Sequence, residues 1–290
     1  MIYFLIIIAV IFIFSLWSFL EHKFIVTSEY IINSEEITFV VLSDIHNKGF
    51  RKSNQILLKK ILEQRPDFVI IAGDMINKKK PCYHGEAFNI IKEISEHYPV
   101  YYAYGNHEQY FEELTCSNSN VEKQVTLCES WNLYKEKLER LGVIFLNNKS
   151  IEIRRNDSKI IITGLSLSSD YYRNRNRIKL EQEAIIDYIG GRSSDGYQIL
   201  IAHNPIYFHD YIEWGADLIL AGHAHGGLIR IPIIGGIISP QFRLFPKYDA
   251  GRYSENNRHM IVSRGLGNHS CMPRIFNIPE LVVVKMKGVL

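Results

Sequence analysis

Short apolar runs recur along this chain, and each stops at a polar residue. Ile37–Leu42 ends at Ser43-Asp44, Phe68–Ala72 at Gly73-Asp74, and residues 99–104 at Gly105-Asn106. Residues 198–202 are followed by His203, and residues 217–221 by Gly222-His223. Apolar runs of this length, bounded by turn residues, predict buried strands. Residues 143–146, 151–155, 160–164, 260–263 and 280–286 read as further strands, with a hairpin turn at 155–159. Between the strands the period changes. Residues 54–64 place Ile56, Leu57, Ile61 and Leu62 on one helical face and stop before Pro66. Residues 87–96, 131–141 and 178–189 predict three more helices, whereas 114–130 is polar and is expected to be an excursion. Alternating strands and helices define an α/β protein. No repeat or linker interrupts the pattern, so one catalytic domain is expected over residues 30–290.

The first residues follow a different rule. Residues 2–20 carry no charge and only two serines. At 1.5 Å per residue such a helix is roughly 30 Å long, the hydrocarbon thickness of a bilayer. A cleaved signal peptide needs a basic leading region and a small-residue cleavage site. No Lys or Arg precedes this run, and Leu20-Glu21-His22-Lys23 follows it. A buried core helix opening a soluble domain is rarely apolar on all sides. Residues 1–22 are therefore expected to be an uncleaved single-pass anchor in the cell membrane. Lys23 is the one nearby cation, which leaves the side of the membrane open.

Composition narrows the function classes. The chain is 47% apolar and 22% charged, a globular balance. The net charge of +2 and the lack of a basic stripe argue against a general nucleic-acid binder. Lys78-Lys79-Lys80 and residues 173–177 read as solvated loops. Cys82, Cys116, Cys128 and Cys271 include no CxxC pair, which argues against a zinc knuckle. Cys116 and Cys128 lie in one polar stretch, as separate thiols or, in an oxidising space, as a disulfide.

The residues that end the strands carry the chemistry. They are Asp44 and His46, Asp74, Asn106 and His107, His203, and His223 with His225. Ligands of open α/β sheets bind beyond the carboxyl ends of the strands, so five converging strand ends would bring these eight residues together. With His107 set aside, they offer two carboxylates, one amide and four imidazoles. Such a set suits Mn2+, Fe, Zn2+ or Co2+ better than Ca2+ or Mg2+. Seven ligands are too many for one zinc. They suffice for two metals sharing a bridging carboxylate, with positions left for water and substrate. Singly, each piece is weak: an Asp-x-His is commonly a turn beside a surface histidine, and Gly222-His223-Ala224-His225 could be a plain loop. The ordered set is the signal.

Asp44-x-His46, Gly73-Asp74, Gly105-Asn106-His107-Glu108, His203 and Gly222-His223-x-His225 together resemble the calcineurin-like metallophosphoesterases, over residues 38–285. His225-Gly226-Gly227, the block Leu244-Phe245-Pro246-Lys247-Tyr248 and Arg274-Ile275-Phe276-Asn277-x-Pro279-Glu280 are similar to a membrane-associated bacterial branch. The resemblance implies a four-layer α/β/β/α sandwich, here preceded by one transmembrane helix. It implies two divalent ions, Mn2+ first, with Fe, Zn or Co as alternatives. One would take Asp44, His46 and His225, the other Asn106, His203 and His223, with Asp74 bridging. Paired cations bind phosphoryl oxygens, activate a water and stabilise in-line displacement. His107 would protonate the leaving alkoxide or hydrogen-bond the phosphoryl group.

Two positions depart from that pattern. Asn77 stands where many relatives carry an Asp that orients the catalytic histidine. Its carbonyl can still orient an imidazole but has no charge to favour imidazolium, so His107 is expected to be a weaker acid. Leu228 stands where the branch often has Gln, which removes that substrate contact from what can be carried over.

The expected reaction is hydrolysis of a phosphodiester, phosphomonoester or pyrophosphate by metal-activated water. Residues 228–248 bear on the substrate. Ile229, Ile231, Ile233, Ile234, Ile237, Ile238, Phe242, Leu244 and Phe245 are interleaved with Arg230, Arg243 and Lys247. The segment reads either as a hairpin packed on the core or as a lip against the bilayer, its cations meeting lipid phosphates. With the anchor, the second reading makes a lipid-linked phosphate or pyrophosphate the expected substrate. A metal-dependent nuclease or nucleotide phosphodiesterase would use the same metals but lacks its basic stripe here. A catalytically silent binding module would usually lack part of the metal set. No nucleic-acid partner is expected, and the sequence does not encode a readable oligomeric state.

Overall fold

The computed structural model describes Tyr3, Trp17, Glu21 and residues 24–287, except 35, 48–52, 83–84, 117–120, 156–157, 174–177, 232, 240–242 and 268–273. In chain order the elements are β1 (Val26–Asn33), β2 (Ile37–Leu42), α1 (Ser53–Gln64), β3 (Phe68–Ala72), α2 (Glu86–Ser95), β4 (Val100–Ala103), α3 (Asn106–Cys116) and α4 (Glu122–Arg140). There follow β5 (Ile144–Phe145), β6 (Lys149–Arg155), β7 (Ser158–Leu165), α5 (Asp170–Arg173), α6 (Gln182–Ile189), β8 (Tyr197–Ala202), α7 (Phe208–Trp214) and β9 (Leu218–Ala221). Last come β10 (Ile229–Ile231), β11 (Gly235–Ile238), β12 (Gly251–Glu255), β13 (Arg258–Val262) and β14 (Glu280–Lys287).

The central strands read as continuous apolar runs because both of their faces are buried. In β2, Phe39 and Val41 enter one apolar layer, while Val40 and Leu42 enter another. In β3, Ile70 and Ala72 share the first layer and Val69 and Ile71 the second. Side chains of a strand alternate between faces, so two cores erase the apolar–polar alternation. Two six-stranded sheets result, ordered β1-β14-β2-β3-β4-β5 and β12-β13-β9-β8-β7-β6. The layer holding Phe39 and Ile70 also holds Ile162, Ile199 and Leu220 of the second sheet, so the sheets pack face to face. Helices α1, α2 and α4 cover the outer face of the first sheet through Leu57, Ile91 and Trp131. Helices α6 and α7 cover the second through Ile185 and Tyr211. This is the expected α/β/β/α sandwich.

Direction positions the site. Strands β2, β3 and β4 are mutually parallel, as are β7, β8, β9 and β13. The carboxyl ends of β2, β3 and β4 therefore share one edge of their sheet, and those of β8 and β9 share one edge of theirs.

Several elements differ from expectation. Residues 114–130, expected as a polar excursion, lie largely in α3 and α4. Leu127, Trp131, Tyr134 and Leu138 form one buried stripe on α4, and the polar majority is its solvent face. Strand β1 starts at Val26, ahead of residue 30, and pairs in parallel along its whole length with β14. The short α7 was not anticipated; it ends at Gly215, whose φ is +116°. Cys128 is a free thiol, and the side chain of Cys116 lies outside the described residues.

The expected anchor, residues 1–22, lies almost entirely outside the described residues. Among the described residues, no helix is long and apolar enough to cross a membrane. Trp17 and Glu21, both helical, touch the body of the protein. The Trp17 ring lies 5.3 Å from that of Phe276, and the Glu21 carboxylate accepts from the Asn277 backbone N–H at 3.3 Å.

Candidate metal centre

Beyond its strand, each of three loops enters the left-handed region of the backbone map. Asp44, His46, Asp74, His223 and His225 have φ of +56°, +54°, +55°, +64° and +50°. Such a conformation costs a non-glycine residue about 1–2 kcal/mol, so the surroundings must enforce it. Backbone bonds do part of this: Asp44 N–H donates to Gly73 O at 3.0 Å, His46 N–H to Asp74 O at 3.0 Å and Gly222 N–H to His203 O at 3.1 Å. They extend the sheet ladders past the strand ends. Close approach does the rest. A Cβ on Gly105 would lie 2.3 Å from Asp74 Oδ1, and one on Gly222 would lie 2.4 Å from Asp44 Oδ2, so glycine alone fits.

Glu108 locks the Asp74 turn from below. Its buried carboxylate accepts from the backbone N–H groups of Asp74 (2.8 Å), Met75 (2.9 Å) and Gly105 (3.0 Å) and from the Tyr102 hydroxyl (2.8 Å). Burial and the neighbouring charge of Asp74 push its carboxyl up to about 7. In the sequence, the signal for Glu108 is its place at the end of Gly105-Asn106-His107-Glu108, which by itself assigns it no task.

The structure gathers the expected residues into overlapping groups whose donor atoms lie within 4.8 Å of one another. They are Asp44, His46 and His225; Asp74, His203 and His223; and His46, Asp74 and His107. In the first, His46 Nε2 and His225 Nε2 are 3.0 Å apart, and Asp44 Oδ1 is 3.2 Å from His225 Nε2 and 3.8 Å from His46 Nε2. In the second, His203 Nε2 is 3.2 Å from Asp74 Oδ2. The two are joined, with Asp74 Oδ2 4.0 Å from His46 Nε2 and Asp44 Oδ1 3.7 Å from His203 Nε2.

The donor set fits divalent cations. His203 Nδ1 lies 2.6 Å from Ala72 O, which can only accept, so the neutral ring keeps its proton there and leaves Nε2 as the nitrogen able to bind a cation. Asn106 Oδ1 is buried without a hydrogen-bond partner, and an acceptor so placed is costly unless something electropositive meets it. Charge agrees. Burial opposes ionisation of Asp44, yet His225 and His203 hold its carboxyl well below the usual range. Burial likewise opposes Asp74, which His107 and His203 pull down. Burial works against a charged His203, but Asp74 and Asp44 raise it to about 10. Burial and the charge of His203 push His223 down to about 3. In the metal-free chain His203 thus faces the two buried carboxylates as a cation, the place a divalent ion would take.

His107 sits at the edge of this cluster, its Nε2 3.9 Å from Asp74 Oδ2. Its orientation corrects the expectation for Asn77. The Asn77 carbonyl accepts from Lys79 N–H at 3.0 Å, closing a turn two residues on. That turn aims the Lys78 N–H at His107 Nδ1, 3.1 Å away. The neutral ring therefore carries its proton on Nε2, toward Asp74. Burial pulls His107 below the usual histidine range.

The His225 loop is held by residues that sequence reasoning left without a role. Asn277 Nδ2 donates to His225 O (2.7 Å) and Gly227 O (2.6 Å). The buried Arg274 donates to Arg264 O and places Nη2 3.4 Å from His225 Nδ1. Their signal was membership of one short motif. Residues 228–248 do contain a hairpin, β10 against β11. Arg230, which the lip reading would turn toward lipid phosphates, is a strut within this hairpin, donating to Gly226 O and Asp249 Oδ2 at 2.8 Å each.

Comparison with known proteins places this geometry. The calcineurin-like phosphoesterase profile matches residues 37–227. The uncharacterised metallophosphoesterase YkuE of Bacillus subtilis is 25% identical over 280 residues, 93% of this chain and 88% of its own. An uncharacterised metallophosphoesterase of Aquifex aeolicus is 25% identical over 283 residues, 94% of this chain and 95% of its own. The phosphodiesterase YaeI of Escherichia coli is 23% identical over 240 residues, 81% of this chain and 77% of its own. The matched span contains all eight strand-end residues that the fold draws together, and the chain belongs to the calcineurin-like phosphoesterase family, as a metal-dependent phosphoester hydrolase.

Proposed function

We propose that the chain holds two divalent cations, Mn2+ first among them, and hydrolyses a phosphoester carried on a lipid at the cell membrane. Asp44, His46 and His225 would hold one ion and Asn106, His203 and His223 the other, with Asp74 shared between them. The observation that carries this assignment is the convergence of the two donor groups, with Asp74 Oδ2 near imidazoles of both. When bound, the ion pair supplies charge for the phosphoryl oxygens and lowers the pKa of a water. The chain does the rest. The Ala72 carbonyl fixes the His203 tautomer, Glu108 and the strand-end ladders fix the carboxylates, and the sheets keep the donors preorganised. His107 presents Nε2–H to a phosphoryl oxygen or to the leaving alkoxide.

The test is hydrolysis of bis-p-nitrophenyl phosphate with added Mn2+. Activity that survives chelation, or an unchanged rate in Asp74→Ala, would refute the assignment. The relative named a phosphodiesterase makes the diester the first bond class to assay.

The lipid reading rests on the uncharged run over residues 2–20 and on where it leads. Residues 1–22 form a single-pass anchor, followed by one catalytic domain. Trp17 and Glu21 meet Phe276 and Asn277, and Asn277 holds the His225 loop. An anchor tied there keeps the site close to the bilayer. Protein that hydrolyses soluble diesters but ignores phosphorylated lipids in vesicles would sink this reading.

A further inference from the structure

We propose that the β10–β11 turn, together with Phe245 and Phe276, forms a membrane seat that enters the interfacial layer of a lipid bilayer beside the metal centre. The proposal rests on the membrane reading above and adds a second point of contact, separate from residues 1–22.

The hairpin starts four residues after His225, and its turn is apolar where turns are usually polar. Ile233 is fully exposed and Ile234 is 63% exposed. Leu244 and Phe245, 67% and 63% exposed, join the same ribbon: Phe245 N–H donates to Ile237 O at 2.8 Å, and Leu244 bridges Ile238. Phe276 joins from the other side, because its neighbour Ile275 exchanges backbone bonds with Leu228 and Arg230, each 3.0 Å long. One small backbone framework thus displays all five apolar side chains.

The backbone makes the display deliberate. Ile233, Phe245 and Phe276 have φ of +75°, +46° and +54°. That region favours glycine or asparagine and is an outlier for a β-branched or bulky residue. The framework is nonetheless held, by Arg230 on Asp249 and by Asp249 on the Gly236 N–H at 2.5 Å. Bulky apolar groups are thus exposed on a backbone that these bonds hold.

A bilayer is the occupant these features favour. The surface consists of exposed apolar side chains carried on one framework of backbone pairings. It is continuous with the membrane-directed segment, since Trp17 lies 5.3 Å from the Phe276 ring. Exposed Arg243 and Lys247 flank Leu244 and Phe245, the arrangement that suits anionic headgroups around an apolar insertion. Exposed apolar patches of this kind mark interaction surfaces.

The test uses the full chain in vesicles of phosphatidylcholine and phosphatidylglycerol, with and without brominated acyl chains. Tryptophan reporters are Ile233→Trp and Phe245→Trp, each read against the wild-type chain. Bromolipid is expected to remove about half of the added emission, as for a side chain within about 10 Å of the headgroup boundary. Leu133→Trp, on the exposed face of α4, should keep its emission. Two unquenched reporters, or equal quenching of Leu133→Trp, would overturn the seat. Self-association that protects the reporters from bromolipid would overturn it too and make a second copy the occupant. Turnover of bis-p-nitrophenyl phosphate in the same vesicles separates the readings. Quenched reporters on inactive protein would defeat the catalytic assignment alone, and unquenched reporters on active protein would defeat the seat alone.

Discussion

Left-handed backbone occurs in two regions of this molecule with opposite side chains. At the strand ends it carries Asp44, His46, Asp74, His223 and His225, most of them buried. At the hairpin rim it carries Ile233, Phe245 and Phe276, all exposed. In both, residues that gain little from such a backbone are held there by bonds to neighbours. The difference lies in what the side chains meet. Inside, carboxylates and imidazoles face one another across distances that a shared proton or an intervening cation makes favourable. Outside, apolar groups face whatever lies beyond the protein. Strain in the backbone reports a constraint, and the chemistry of the side chain reports its direction.

This contrast can be broken most severely at Asp74. Asp74→Ala should lower turnover of bis-p-nitrophenyl phosphate by about 10³-fold or more, because both donor groups lose a shared oxygen. Metal content by plasma emission should fall in parallel. Glu108→Ala should cost about 3–5 kcal/mol in urea unfolding, since it strands the N–H groups of Asp74, Met75 and Gly105 and the Tyr102 hydroxyl in the interior. A loss under about 1 kcal/mol would mean that the turn holds without Glu108.

His107→Ala should lower turnover by about 10²-fold to 10³-fold while metal content stays unchanged. Loss of metal would make His107 a ligand, which its place in the third donor group leaves as the competing assignment. Metal affinity should also depend on pH in one direction. In the metal-free chain His203 holds a proton up to about pH 10, and a ligand imidazole must release it. Affinity should therefore rise about tenfold per pH unit below that value for each proton displaced. Calorimetry in two buffers of different ionisation enthalpy measures the protons released.

The smallest effect belongs to the rim. Ile233→Gly should stabilise the chain in detergent by about 0.5–1 kcal/mol, because glycine accepts a φ of +75° without strain. The same change should weaken attachment to vesicles. A destabilised variant would mean that the Ile233 side chain packs inward, against the contrast drawn here.

Much of the site was legible in one dimension. Asp44, His46, Asp74, Asn106, His107, His203, His223 and His225 announced themselves by following apolar runs, and parallel strands necessarily stack their carboxyl ends along one edge. Helix α4 was half missed, because its buried stripe of Leu127, Trp131, Tyr134 and Leu138 is thin against a polar background. Strand β1 was lost because Val26–Asn33 mixes half-buried and exposed side chains, and its partner β14 lies at the other end of the chain. Asn77 was misread because a side-chain amide and the backbone N–H of the next residue compete for the same imidazole, and only the turn decides between them.

By itself, then, the sequence determined the α/β class, the residues able to bind metal and the uncharged run at the start, because these depend on side-chain type and period. Tertiary structure alone decided which donors share a group, that Glu108 and Asn277 hold the loops, that Arg230 points inward to Asp249, and that Ile233 and Phe245 point outward. Those facts depend on distances between atoms far apart in the chain, which the packing of two sheets sets and no local period encodes.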